Sequence, residues 1–161
     1  MKKTILSTLC FLLVSCFMFF TDAGTRIVVL GSSTAAGAGV SDSNRAWVNQ
    51  YRTYLQSIDP TNTVTNLAKG GYTTCAIMPT GTDPYDTGNH ILEVDTERNI
   101  TKALSLSPNA IIINMPTNDV SNGIPVATQM KHFATIIDLA KAAGVKRSEE
   151  HTSELQSRQV I

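Results

Sequence analysis

The sequence predicts an α/β domain built on a parallel sheet, and three observations carry that prediction. A β-branched run, Ile27-Val-Val-Leu30, stops at Gly31-Ser-Ser33 and opens into Thr34-Ala-Ala-Gly37. That is the pattern of a buried strand turning sharply into a helix. A second apolar run, residues 110–114, shows no alternation at all, as expected of a strand covered by helices on both faces. Strand-like and helix-like stretches alternate along the rest of the chain, which implies parallel strands joined by helical crossovers.

The elements follow in order. After the first strand at residues 27–30, a helix is expected over about residues 44–57, with Trp47, Tyr51, Tyr54, Leu55 and Ile58 on one face. Asp59-Pro-Thr-Asn62 has turn composition, and residues 63–67 read as the second strand. A short helix is expected near residues 74–78, then a long loop over residues 79–90 containing Gly81, Pro84 and Gly88. Loops of that length in compact domains are commonly functional, and this one is expected at the rim of a cleft. The next helix starts near Asp95 as N-cap, turns Ile100, Ala103, Leu104 and Leu106 inward, and ends at Ser107-Pro108. Residues 110–114 form the third strand. Pro125 opens the longest helix, with Val126, Met130, Phe133, Ile136, Ile137 and Ala140 on its apolar side and Gly144 as C-cap.

Each strand ends in small or amide residues: Gly31-Ser-Ser33, Asn66-Leu-Ala-Lys-Gly-Gly-Tyr-Thr-Thr74, and Pro116-Thr-Asn-Asp119. The C-terminal edge of a parallel sheet is where α/β proteins place their ligands. Taken together and in this order, the three blocks resemble the SGNH (GDSL-like) hydrolase family, over residues 26–145. Ser33 matches the family's serine, with Ser32 standing where the motif usually has Asp. Gly71 matches its glycine, and Asn118 its asparagine, with Pro116 in place of the usual glycine. The resemblance implies a three-layer α/β/α, flavodoxin-like fold, two of whose five strands are absent here. It implies a secreted serine esterase acting on carboxylic esters, among which carbohydrate acetyl esters are candidates, with no cofactor and no metal. Ser33 is then the nucleophile, and the backbone N–H groups of Ser33 and Gly71 with the Asn118 amide form the oxyanion hole. Asp119 is expected to hydrogen-bond within its own loop and steady Asn118. A non-catalytic binding or accessory module that keeps the fold is the competing class.

The family's base histidine belongs to an Asp-x-x-His block, and none of His90, His132 and His151 has Asp three residues before it. His90 lies in a Gly/Pro/Asp-rich loop and His132 in a helical run, and both read as solvated. Residues 147–157 resemble one reading frame of a common sequencing adapter, so residues 147–161 are set aside as an artefactual tail. The domain is accordingly expected to span residues 24–146 and to be cut short before its fourth strand and its base.

Composition narrows the rest. With 161 residues, a formal net charge of zero and 16% charged residues, the chain suits one domain and offers no footprint for nucleic acid. Lys2 and Lys3 precede an apolar run over residues 5–20, and small residues follow to Ala23. This is the layout of a signal peptide over residues 1–23, hence an exported protein free of the membrane after cleavage. Leu13-Val-Ser-Cys16 leaves open a lipid anchor on Cys16. Cys10 and Cys16 depart with the leader, and the remaining Cys75 reads as a buried small hydrophobe. Gly37-Ala-Gly39 lacks the rest of a dinucleotide fingerprint, Asp83-Pro-Tyr-Asp86 reads as an exposed acidic loop, and Asn99-Ile-Thr101 fits a glycosylation sequon.

Overall fold

The computed structural model describes residues 24–115 and 118–145; Pro116, Thr117 and the segments expected to be a signal peptide and a tail fall outside them. Strand β1 (Arg26–Gly31) lies at the centre of a three-stranded parallel sheet, flanked by β2 (Thr63–Asn66) and β5 (Ala110–Asn114) in the order β2-β1-β5. Ile27 pairs with Val64 on one side and Ala110 on the other, and Gly31 pairs with Asn114.

Alternation along β1 divides the core in two. Ile27 and Val29 face helix α2 (Trp47–Ile58), where they meet Val48, Val64 and the short helix α1 (Ser33–Ala36) through Ala35. Val28 and Leu30 face the opposite layer, against Ile100 and Ala103 of α3 (Ile100–Ser105) and Ile136 of α5 (Val126–Ala142). The result is helix, sheet, helix: the expected three-layer arrangement, reached because successive side chains of a strand point to opposite faces.

Several sequence expectations need correction. In α2 the buried stripe is Val48, with Trp47, Tyr51 and Leu55 packed beside it, whereas Tyr54 and Ile58 are 61% and 63% exposed. The stripe is rotated because it must meet Ile27, Val29 and Val64. Helix α3 is capped by Asn99, which accepts the Lys102 N–H at 2.9 Å, and not by Asp95, whose carboxylate holds the Glu97 N–H and the Tyr72 hydroxyl. The 79–90 loop closes a small antiparallel hairpin, β3 (Tyr85–Asp86) with β4 (Ile91–Leu92), turned at Gly88 with φ +83°. Strand β5, expected to be covered on both faces, is half-exposed at all five residues. It is the last strand of the sheet among the described residues, so only β1 shields one of its edges. Helix α5 buries Ile136 fully but leaves Val126 and Met130 more than 60% exposed.

Candidate active site

The sheet brings the three sequence blocks to one edge. The Ser32 N–H donates to the Asn114 carbonyl at 3.1 Å and the Lys69 N–H donates to the Gly31 carbonyl at 3.1 Å. The ends of β1, β2 and β5 are thereby laced together just where the Ser33, Gly71 and Asn118 segments leave the sheet. Gly31 itself has no room for a side chain: a Cβ there would lie 2.6 Å from the Ala35 Cβ and 3.0 Å from the Asn114 carbonyl oxygen.

Ser32 and Ser33 are distinct in kind. Ser32 is buried, in extended conformation, and its carbonyl accepts the Ala36 N–H at 2.9 Å. Its side chain makes no capping bond. Ser33 is the first residue of α1 and is half-buried; among the described residues its hydroxyl has no hydrogen-bond partner. A hydroxyl at this strand-to-helix turn, uncommitted and reachable, is free to meet a ligand.

Gly71 adopts φ +84°, a left-handed conformation that favours glycine. A Cβ built on it meets nothing within 4 Å, so the space above its backbone is open to an approaching group. Asn118 opens helix α4 (Asn118–Ser121), and its Nδ2 donates to the Tyr72 carbonyl at 2.8 Å. This bond ties the third block to the residue next to Gly71 and leaves the second Nδ2 hydrogen for another acceptor.

Asp119 does not steady its own loop as the sequence suggested. It is 3% exposed and reaches into the second block, where it accepts both the N–H of Thr74, at 3.0 and 3.1 Å, and the Thr74 hydroxyl. His132, read from sequence as solvated, is likewise drawn inward: its Nδ1 lies 2.7 Å from the Thr74 hydroxyl oxygen. Its ring also packs edge-on to Tyr85 at 6.3 Å between centroids. Burial lowers its pKa below the ordinary imidazole value, and the nearby Asp119 charge opposes that shift. No sequence signal pairs His132 with Thr74, because they lie 58 residues apart on different elements. His90 is exposed, as expected.

On the outer side of Gly71, Tyr72 hydrogen-bonds Asp95, and the Lys69 ammonium lies 5.6 Å from the Tyr72 ring centroid. Burial, reinforced by Asp95, pushes the phenol well above its usual range, and the phenol's hydrogen bond holds Asp95 low. Cys75 is 3% exposed and burial pushes its thiol up, so it behaves as the predicted small core residue.

Residues 29–149 match the GDSL-like lipase/acylhydrolase family. The chain belongs to that family. Its fold is similar to that of solved SGNH-type structures. One is AlinE4, an SGNH-hydrolase family esterase (TM-score 0.55, 19% identity, covering 76% of this chain and 56% of that one). Another is TesA (TM-score 0.57, 20% identity, 76% and 57%). A third is the psychrotrophic esterase EstA from Pseudoalteromonas sp., inhibited by monoethylphosphonate (TM-score 0.51, 17% identity, 74% and 55%). The chain therefore spans little more than half the length of these structures. No curated protein matches it. The shared fold accounts for the meeting of the three strand ends at one sheet edge.

Proposed function

We propose that this chain carries the nucleophile and oxyanion hole of a serine ester hydrolase, with Ser33, Gly71 and Asn118 in those roles. The observation that carries the reading is the bond from the Asn118 amide to the Tyr72 carbonyl. It sets an amide donor beside the open face of Gly71, at the same sheet edge as the uncommitted Ser33 hydroxyl.

In this reading Ser33 Oγ attacks the ester carbonyl and its proton passes to a general base. The carbonyl π electrons move onto oxygen, giving a tetrahedral oxyanion; collapse breaks the C–O bond to the alcohol, which takes the proton back from the base, and leaves an acyl-serine that water hydrolyses to the acid and free serine. The backbone N–H groups of Ser33 and Gly71 and the second Asn118 Nδ2 hydrogen stabilise that oxyanion. The base in the family pattern is the histidine of an Asp-x-x-His block, which these 161 residues do not contain. Turnover by the chain as it stands is therefore expected at the residual level that oxyanion donors and binding alone supply, roughly 10³–10⁴-fold over water. The leader pattern supports an exported enzyme, and carbohydrate acetyl esters belong to its candidate substrates. The competing reading is a non-catalytic binding or accessory module that retains the fold.

Sequencing the gene past codon 146 separates the two. An Asp-x-x-His beyond a further strand supports the enzyme, and its absence supports the binding module. In protein that carries the block, Ser33→Ala is expected to abolish hydrolysis of p-nitrophenyl acetate, and Asn118→Ala to lower kcat about 100- to 1,000-fold. Undiminished turnover in either variant removes the corresponding role.

A further inference from the structure

Thr74 has one hydroxyl proton and, among the described residues, two side-chain partners for its hydroxyl oxygen. Asp119 is a carboxylate in hydrogen-bond contact with that oxygen, and an ionised carboxylate can only accept. The hydroxyl proton therefore points to Asp119. His132 Nδ1, 2.7 Å away on the other side, must then be the donor, which in the neutral ring fixes the Nδ1–H tautomer and leaves Nε2 as the unprotonated nitrogen. The chain of bonds runs from α5 through Thr74 to Asp119, the residue next to Asn118. It thus clamps the second block, which carries Gly71, to the third.

We propose that His132 is a positioning residue for the oxyanion hole: by donating from Nδ1 to Thr74 it holds the Asp119–Thr74 pair in register and so keeps the Asn118 amide beside Gly71. The role assigned to Asn118 and Gly71 here rests on the ester-hydrolase reading, whereas the clamp itself does not. Among the described residues the groups facing His132 are few. They are the Thr74 hydroxyl, the Asp119 carboxylate behind it and the Tyr85 ring edge. Asp119 is the charge that acts on it.

The test needs no turnover. Nitrogen-15 chemical shifts of the intact chain report the tautomer directly, and Nδ1–H is expected; a proton on Nε2 at neutral pH overturns the proposal. Amide exchange is then compared between wild type, His132→Phe, which keeps a ring but no donor, and His132→Asn, whose side-chain N–H can take the place of Nδ1. His132→Phe is expected to speed exchange at Thr74 and Asn122 about tenfold, the loss of roughly one hydrogen bond, and to shift the Asn118 side-chain amide signals. Exchange in β1 should be unchanged, and His132→Asn should restore the wild-type pattern. Should His132→Phe fail to fold, Thr74→Val against Thr74→Ser makes the same comparison from the other end of the bond. Unaltered Thr74 and Asn118 signals in the donor-less variants, or equal behaviour of the Phe and Asn variants, overturn the proposal. In protein that hydrolyses esters, His132→Phe is further expected to lower kcat with KM held. If no ester is turned over at all, the ester reading fails by its own test, and the exchange data still decide the clamp.

Discussion

Strand β1 carries Ile27-Val-Val-Leu30 and strand β5 carries Ala110-Ile-Ile-Ile113, two runs that are interchangeable by composition. The four residues of β1 are at most 6% exposed, while every residue of β5 is half-exposed. What separates them is neighbours. β1 has a hydrogen-bonded strand on each side and a helical layer on each face, whereas β5 has β1 on one side and, among the described residues, no strand on the other. The same contrast extends to the helices. Each helix buries one residue fully, Val48 in α2 and Ile136 in α5, but α2 also packs Trp47, Tyr51 and Leu55 against the core, whereas among the described residues the longer α5 adds none. Asn114, at the end of β5, even buries a side-chain oxygen with no hydrogen-bond partner among the described residues, a shortfall worth about 1–3 kcal/mol. Apolar sequence supplies the wish to be buried, and topology decides whether it is met.

The largest expected effect breaks this contrast at its centre. Leu30→Ala removes a fully buried side chain packed against both α3 and α5 and is expected to cost about 2–5 kcal/mol in urea unfolding. Ile112→Ala, in the partly exposed strand, should cost less, since part of its surface already lies in water. Equal costs would show that β5 is as well covered as β1.

A middle-sized effect comes from acid. The folded pKa of His132 lies below its ordinary value, so the unfolded chain binds the extra proton more readily. The stability contributed by neutral His132 is therefore complete above about pH 6.5 and is lost as pH falls from there toward the folded pKa. Melting temperature followed from pH 7.5 to 5 should drop in wild type and drop less in His132→Asn. Parallel curves would mean that His132 is as solvated when folded as when unfolded.

The smallest effect belongs to the outward side of α5. Met130 is 61% exposed, so Met130→Gln should change stability by no more than about 0.5 kcal/mol. A loss of several times that would place Met130 against something apolar.

Strands and strand-end blocks were legible in the sequence because each is local: a β-branched run, then glycine, serine or amide at its end. The family resemblance added their order, and residues 29–149 match that family. Helix faces were less legible. Tyr54 and Ile58 satisfy helical spacing as well as Val48 does, and only the position of Val64 and Ile27 on the sheet chooses between them. The cap of α3 is ambiguous in the sequence because Asp95 and Asn99 offer the same local chemistry, and the difference is a tertiary partner: Tyr72 claims Asp95. The Asp119–Thr74–His132 chain was hidden for the same reason. Its members are 45 and 58 residues from Thr74, and nothing in a linear pattern joins them.

Asn99 has a consequence for how the protein can be made. It heads the sequon Asn99-Ile-Thr101, yet it is 0% exposed, its Oδ1 caps α3 and its Nδ2 donates to Thr80 at 2.9 Å. In a host that glycosylates secreted chains, sugar is attached to that amide nitrogen before the domain has closed over it. A glycan at Asn99 has no place in the folded core and takes away the nitrogen that bonds Thr80. Yeast or mammalian secretion should therefore deliver either unmodified protein or modified protein that does not fold, and Thr101→Ala, which erases the sequon at an exposed position and gives up one solvent-exposed bond from the Thr80 N–H, is the change that would let such a host be used.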